Sequence, residues 1–214
     1  MNSRIKKLTA VAMLSAVAYL VMAIGRIPVV SFLKYDPKDV IIAIGGFIYG
    51  PLSAFGISVI VSLVEMVTLS DTGWIGLIMN ILSTVSFACI ASFFYKKSKT
   101  LKGAIIGLIA GSVAMVTVMI LWNYLITPIY MGIPREAVAK MLLPVFLPFN
   151  LLKASLNTAF TLIIYKPLVT GLRKTGLLPP SDSKKKKHNI GLIIISLLII
   201  ITCILIILVM NNKI

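Results

Sequence analysis

Residues 103–127 read GAIIGLIAGSVAMVTVMILWNYLIT, a run without one charged side chain. Crossing the hydrocarbon core of a bilayer takes roughly 20 apolar residues in helical form. This run is long enough. Its glycines, Gly103, Gly107 and Gly111, recur every four residues and so share one helix face. That is the pattern of a seam where a second helix approaches closely. The stretch therefore predicts a transmembrane helix with a neighbour packed along its glycines.

Working outward, similar runs cover residues 8–25, 51–69, 74–95, 144–169 and 190–210, with a shorter one at 40–50. The chain is 59% hydrophobic and only 13% charged, with a mean hydropathy of +1.04. Soluble domains are about half apolar and about a quarter charged. The expectation is an all-α integral membrane protein. A six-helix membrane domain fills residues 1–170, a basic cytoplasmic linker 171–189, and one additional transmembrane helix 190–210. The piece at 40–50 rises only about 16 Å, too little for a core of about 30 Å. It stops short or is completed by what precedes it.

Charge orients the chain. Of the lysines and arginines outside the spans, 14 fall on one side and 6 on the other if the N-terminus is inside. Positive residues accumulate on the cytoplasmic face. The reading is a multi-pass cell-membrane protein with a cytoplasmic N-terminus and an extracellular C-terminus. The net charge of +15 is juxtamembrane, so it points to the lipid surface and not to nucleic acid. The first run is too long for a signal-peptide core and has no A-x-A site after it, so it is read as retained.

Several functions are disfavoured. No phosphate-binding G-x-x-x-x-G-K-[ST] loop is present. Cys89 and Cys203 both lie inside apolar runs, and His188 stands alone in the linker, so no metal site or cofactor is expected. No serine or cysteine nucleophile has a base near it, and the chain is read as no enzyme.

Six polar residues interrupt the runs: Glu65, Asn80, Asn123, Asn150, Lys153 and Asn157. Counting helical rise from the ends of the runs puts all six in the outer half of the membrane or at its midplane. Polar groups at such depth usually face a bundle interior or a wet cavity. Asn150, Lys153 and Asn157, at i, i+3 and i+7, share one helix face. Together the six predict a pocket open to the outside, in which Glu65 and Lys153 cancel each other and leave room for an uncharged ligand. Phe32, Tyr35, Trp74, Trp122, Tyr124, Tyr130, Phe146 and Phe149 lie at the same level. Most read as an interfacial belt, a few as stacking groups.

FLKYDPKDV, residues 32–40, reads as a charged loop on the outer face. Pro37 would start the short helix and Asp36 would cap it. The balanced charges would stay at the water boundary while Phe32, Leu33 and Tyr35 reach inward as a lid and side wall of the pocket.

FLKYDPKDV, GFIYGPLSAFGI, WNYLITPIYMG and LPFNLLKASLN, in this order, are similar to the riboflavin-specific S components (the RibU family) of energy-coupling factor (ECF) transporters, over roughly residues 5–170. The resemblance implies a six-helix S-component bundle that binds a vitamin and has no ATPase of its own. It implies docking on one transmembrane coupling protein with two cytoplasmic ATPases, and toppling in the membrane to release vitamin inside. It implies that Asn123, Asn150 and Lys153 hydrogen-bond the flavin and its ribityl chain. It implies a docking role for small residues on the first helix, here Ala12 and Ala16. Glu65 and Asn80 join the site on depth alone. The run at 190–210 departs from the family and reads as a lipid-facing anchor. An S component for another vitamin, and a membrane enzyme or assembly factor, remain the competing expectations.

Overall fold

The computed structural model describes residues 3–30, 33–174 and 190–210. Phe32 and most of the linker, including His188 and the lysine run before it, lie outside the described residues. Helix α1 spans Ser3–Gly25. A small antiparallel hairpin follows, β1 Ile27–Val30 and β2 Leu33–Tyr35. Then come α2 Lys38–Tyr49, α3 Pro51–Thr68, α4 Gly73–Ser98 and α5 Leu101–Met131. The short α6, Arg135–Met141, passes through a π-helical turn at Leu142–Phe146 into α7, Leu147–Lys174, and α8 covers Ile190–Met210. Six of the described helical stretches are long and apolar enough to span a membrane, and α2, with 12 residues, is not among them. The chain is a multi-pass helical membrane protein.

Local chemistry sets the breaks. Gly50, at a φ of 91°, turns the chain between α2 and α3, and Pro51 occupies the first turn of α3. Only glycine takes such a φ without strain, and proline at a first turn loses no needed donor. Pro144 and Pro148 remove two N–H donors in succession, and the π-helical turn sits between α6 and α7 where those donors are missing.

The glycine seam of α5 packs on α4. A Cβ at Gly107 would strike the Ala91 carbonyl oxygen, and one at Gly111 would strike that of Phe87. The core between α1 and α5 is built largely from small residues, such as Ala18, Ala43, Ala54, Ala88, Ala91 and Ala104, around Ile57, Phe87 and Met115. Close approach of backbones is what drives helix association where lipid is as apolar as the side chains. Phe47 and Tyr95, with ring centroids 4.5 Å apart, close the end away from the hairpin.

Three expectations change. The strip at 32–40 is no simple loop: its first half forms the second strand of the hairpin. Asp36 does not cap α2; the cap position is Pro37, without a side-chain hydrogen bond, because the Asp36 carboxylate is taken by Arg26. Helix α8 is more than a lipid anchor. It lies along α7, reaches β1, buries Ser196 and Cys203 and half-buries Ile199, Ile200 and Ile207, while most of its other aliphatic side chains are exposed.

Candidate functional site

At the hairpin end, a cleft with about 140 Å³ of free volume opens between the hairpin, α3, α4, α5 and α7. Its polar wall includes Glu65, Asn80, Asn123, Asn150 and Lys153, from four helices. Its apolar wall is Leu33, Leu69, Met79, Met119 and Phe149. Phe149 is the sole aromatic residue on that wall among the described residues. Trp74 is 70% exposed and off the cleft, Trp122 packs on the main core, and Phe146 is buried elsewhere.

Beneath the lining lies an ionic layer, and sequence reasoning missed its two central members, which do not themselves line the cleft. Lys38 and Asp39 have no exposure at all. They stand in the first turn of α2, and the water-boundary placement of these charges is wrong for both. The length of α2 held the signal. A helix of about 18 Å that ends at the turn into α3 must begin well inside a core of about 30 Å. Its first turn is therefore inside the bundle.

Nor do Glu65 and Lys153 pair with each other; each meets charges from the strip instead. Glu65 accepts from Arg26 Nη2 through one oxygen and from Lys38 Nζ through the other. Asn80 Nδ2 adds a third hydrogen bond at 2.9 Å. Arg26 Nε donates to Asp36 Oδ1 at 2.6 Å. Burial opposes the Arg26 charge, but Asp36 and Glu65 outweigh it and hold the guanidinium above its usual range. Lys153 Nζ meets Asp39 Oδ2 and Ser83 Oγ, each at 3.3 Å. Thr84 donates to Asp39 Oδ1 at 2.6 Å, and Asn157 Nδ2 to Oδ2 at 3.1 Å. Buried charges persist when paired and hydrogen-bonded, and both carboxylates are.

Arg26, Lys38 and Lys153 thus face Asp36, Asp39 and Glu65, three charges of each sign. The site is formally neutral. What remains for a ligand is a set of directed hydrogen bonds. Asn123 Oδ1 accepts from Thr127, which turns its amide N–H₂ to the donor role. Asn150 Nδ2 donates to the Phe146 carbonyl in the π-helical turn at 2.8 Å, which leaves Oδ1 as an acceptor. Lys153 has a third N–H beyond Asp39 and Ser83.

Leu33, Glu65, Asn80, Asn123, Asn150 and Lys153 therefore line one cleft. Tyr35 and Asn157 do not line it. They sit behind the wall, with the Tyr35 hydroxyl donating to Asn157 Oδ1 at 3.0 Å. Ala12 and Ala16 lie on the exposed face of α1, away from the cleft.

Comparison with known proteins agrees with this geometry. Residues 6–165 match the family model for the ECF transporter, substrate-specific component. The riboflavin transporter RibU of Streptococcus thermophilus is 32% identical over 79% of this chain and 85% of its own length. The riboflavin transporter FmnP of Bacillus subtilis is 30% identical over 76% of this chain and 92% of its own. A solved structure, described as the S component of a bacterial ECF transporter, superposes with a TM-score of 0.68 at 25% identity, covering 80% of this chain and 99% of that one. With a membrane bundle, a formally neutral cleft at one end and a family match over three-quarters of its length, the chain belongs to the substrate-specific components of ECF transporters.

Proposed function

We propose that the chain captures riboflavin at the outer face of the cell membrane and hands it to a separate energising module. The observation that carries this reading is the formally neutral cleft with Asn123, Asn150 and Lys153 on one wall. Riboflavin has no net charge at neutral pH. Its pyrimidinedione edge alternates carbonyl acceptors with an N–H donor, which suits the Asn123 donor, the Asn150 acceptor and the remaining Lys153 N–H. The ribityl hydroxyls suit the Asn80 and Glu65 side. Met79, Met119, Leu33 and Phe149 offer an apolar wall to the flat ring, with sulfur–aromatic contact from the methionines. The curated relatives are named as riboflavin transporters, which favours this vitamin over others.

The chain itself is neither an enzyme nor an ATPase in this reading and carries no cofactor. One transmembrane coupling protein and two cytoplasmic ATPases supply the energy. The exposed Ala12–Ala16 face of α1 is the docking surface, since small residues let a partner helix approach. The excess of lysine and arginine at the end away from the hairpin supports an orientation with the cleft outside, the N-terminus in the cytoplasm and the C-terminus outside.

The test is a titration of purified chain against riboflavin, read by quenching of flavin fluorescence, with FMN, thiamine, folate and pantothenate as competitors. Saturable quenching at one riboflavin per chain is expected. Loss of a hydrogen-bond partner in a dry cleft costs on the order of 1–3 kcal/mol, so Lys153→Ala should weaken binding about tenfold or more. Displacement by another vitamin in the absence of riboflavin quenching would reassign the cargo.

A further inference from the structure

Helix α8 lies outside the family match, which ends at residue 165, and 80% of this chain is enough to cover 99% of the solved S component. The helix nevertheless joins the architecture of the cleft. Cys203 belongs to one buried apolar cluster with Val29, Tyr35, Phe149 and Leu152, and Ile207 packs against it. Phe149 lines the cleft, and so does Leu33, which packs on the same cluster.

Tyr35 connects that cluster to the ionic layer. Its hydroxyl donates to Asn157 Oδ1 at 3.0 Å, and Asn157 Nδ2 donates to Asp39 Oδ2 at 3.1 Å. The same Asp39 oxygen meets Lys153 Nζ at 3.3 Å. Burial, then the Asp39 and Asp36 carboxylates and the Cys203 thiol, push the Tyr35 hydroxyl far up, so it remains an O–H donor. The direction of the Asn157 amide follows from this. With Oδ1 held by Tyr35, the N–H₂ must face Asp39. Without the hydroxyl, the buried Asn157 Oδ1 loses its donor, and the side chain is no longer held against the carboxylate from behind. Asp39 would then shift, and the direction of the Lys153 ammonium would shift with it.

We propose that Tyr35 and Asn157, backed by α8 through Cys203 and Ile207, are positioning residues that aim Lys153 into the cleft, and that α8 is an accessory part of this chain's binding site. The proposal rests on the reading of the cleft as the vitamin site and gives a role to a helix beyond the family core.

The experiment is a double-mutant cycle on the purified full chain, with riboflavin as probe and fluorescence quenching as readout. Tyr35→Phe is expected to weaken binding about fivefold in the native background and less than about twofold beside Lys153→Ala, since the amine to be aimed is gone. The pair Cys203→Ala and Ile207→Ala, at the contact of α8 with the cluster, is expected to speed riboflavin release about threefold and to lose that effect beside Lys153→Ala. Equal losses in both backgrounds would overturn the brace, because mere loosening is additive. Native affinity in Tyr35→Phe beside a weakened Lys153→Ala would overturn the brace alone. Native affinity in Lys153→Ala would sink the reading of the site, and the proposal with it.

Discussion

Lys38 and Asp39 are adjacent in the chain and serve different partners. Lys38 goes to Glu65 on α3, and Asp39 to Lys153 on α7. Consecutive residues on a helix point about 100° apart, so one turn of α2 ties two walls of the cleft together. Breaking a buried pair by removing one member costs on the order of 3–5 kcal/mol, because the other charge is left without compensation. Asp39→Asn should therefore lower the thermal unfolding midpoint in detergent markedly. Asp71→Asn should leave it unchanged, since the Lys34–Asp71 pair is 3.9 Å apart and its acid 87% exposed. Equal midpoints for the two variants would show that the Asp39 pair is not buried in the folded protein. The six polar positions inside the long runs were legible because an interruption in an apolar run stands out. Lys38 and Asp39 were not, because beside a proline and an aspartate they read as one exposed strip.

Among the elements, the α4–α5 seam was plain in the glycine spacing. Gly111→Ala should destabilise the bundle by about 1–3 kcal/mol, as overpacking against the Phe87 carbonyl leaves no soft side chain to yield. Gly56→Ala, with nothing close to a new Cβ, is the control, and chemical unfolding of both in mixed micelles compares them. Helix α1 carries the opposite kind of surface. Ala12 and Ala16 are exposed beside Met13, Val17 and Leu20. Ala12→Trp with Ala16→Trp is expected to abolish energised uptake in cells while riboflavin affinity of the purified chain stays within about twofold, because α1's exposed face is remote from the cleft. Wild-type uptake would assign docking to another face. The hairpin escaped sequence reasoning for a local reason. Its strands are only 4 and 3 residues long, so no alternating pattern could form.

Across the molecule, the three cations and three carboxylates at the cleft cancel, though the chain as a whole carries +15. The excess charge lies mostly at the other end and beyond the last long helix of the bundle. A neutral cargo in a neutral cleft feels little of it. Riboflavin affinity is thus expected to change by less than about twofold between roughly 50 and 500 mM salt, a range over which unpaired surface charges are progressively screened. A steep salt dependence would mean that a charge lining the cleft, Lys34 and Asp71 included, faces the ligand without its partner.

The sequence by itself determined the membrane class, the helical spans, the glycine seam and the end of the bundle at which polar residues gather. These depend on composition and on the fixed rise of a helix, both of which are local. Only the tertiary structure decided which charges pair. Glu65 finds Arg26 and Lys38, Lys153 finds Asp39, and Tyr35 reaches Asn157 across 122 positions of chain. It also decided that α8 lies against α7 and the hairpin. Pairing over such separations depends on how helices rotate and slide when they pack, and no short stretch of sequence contains that information.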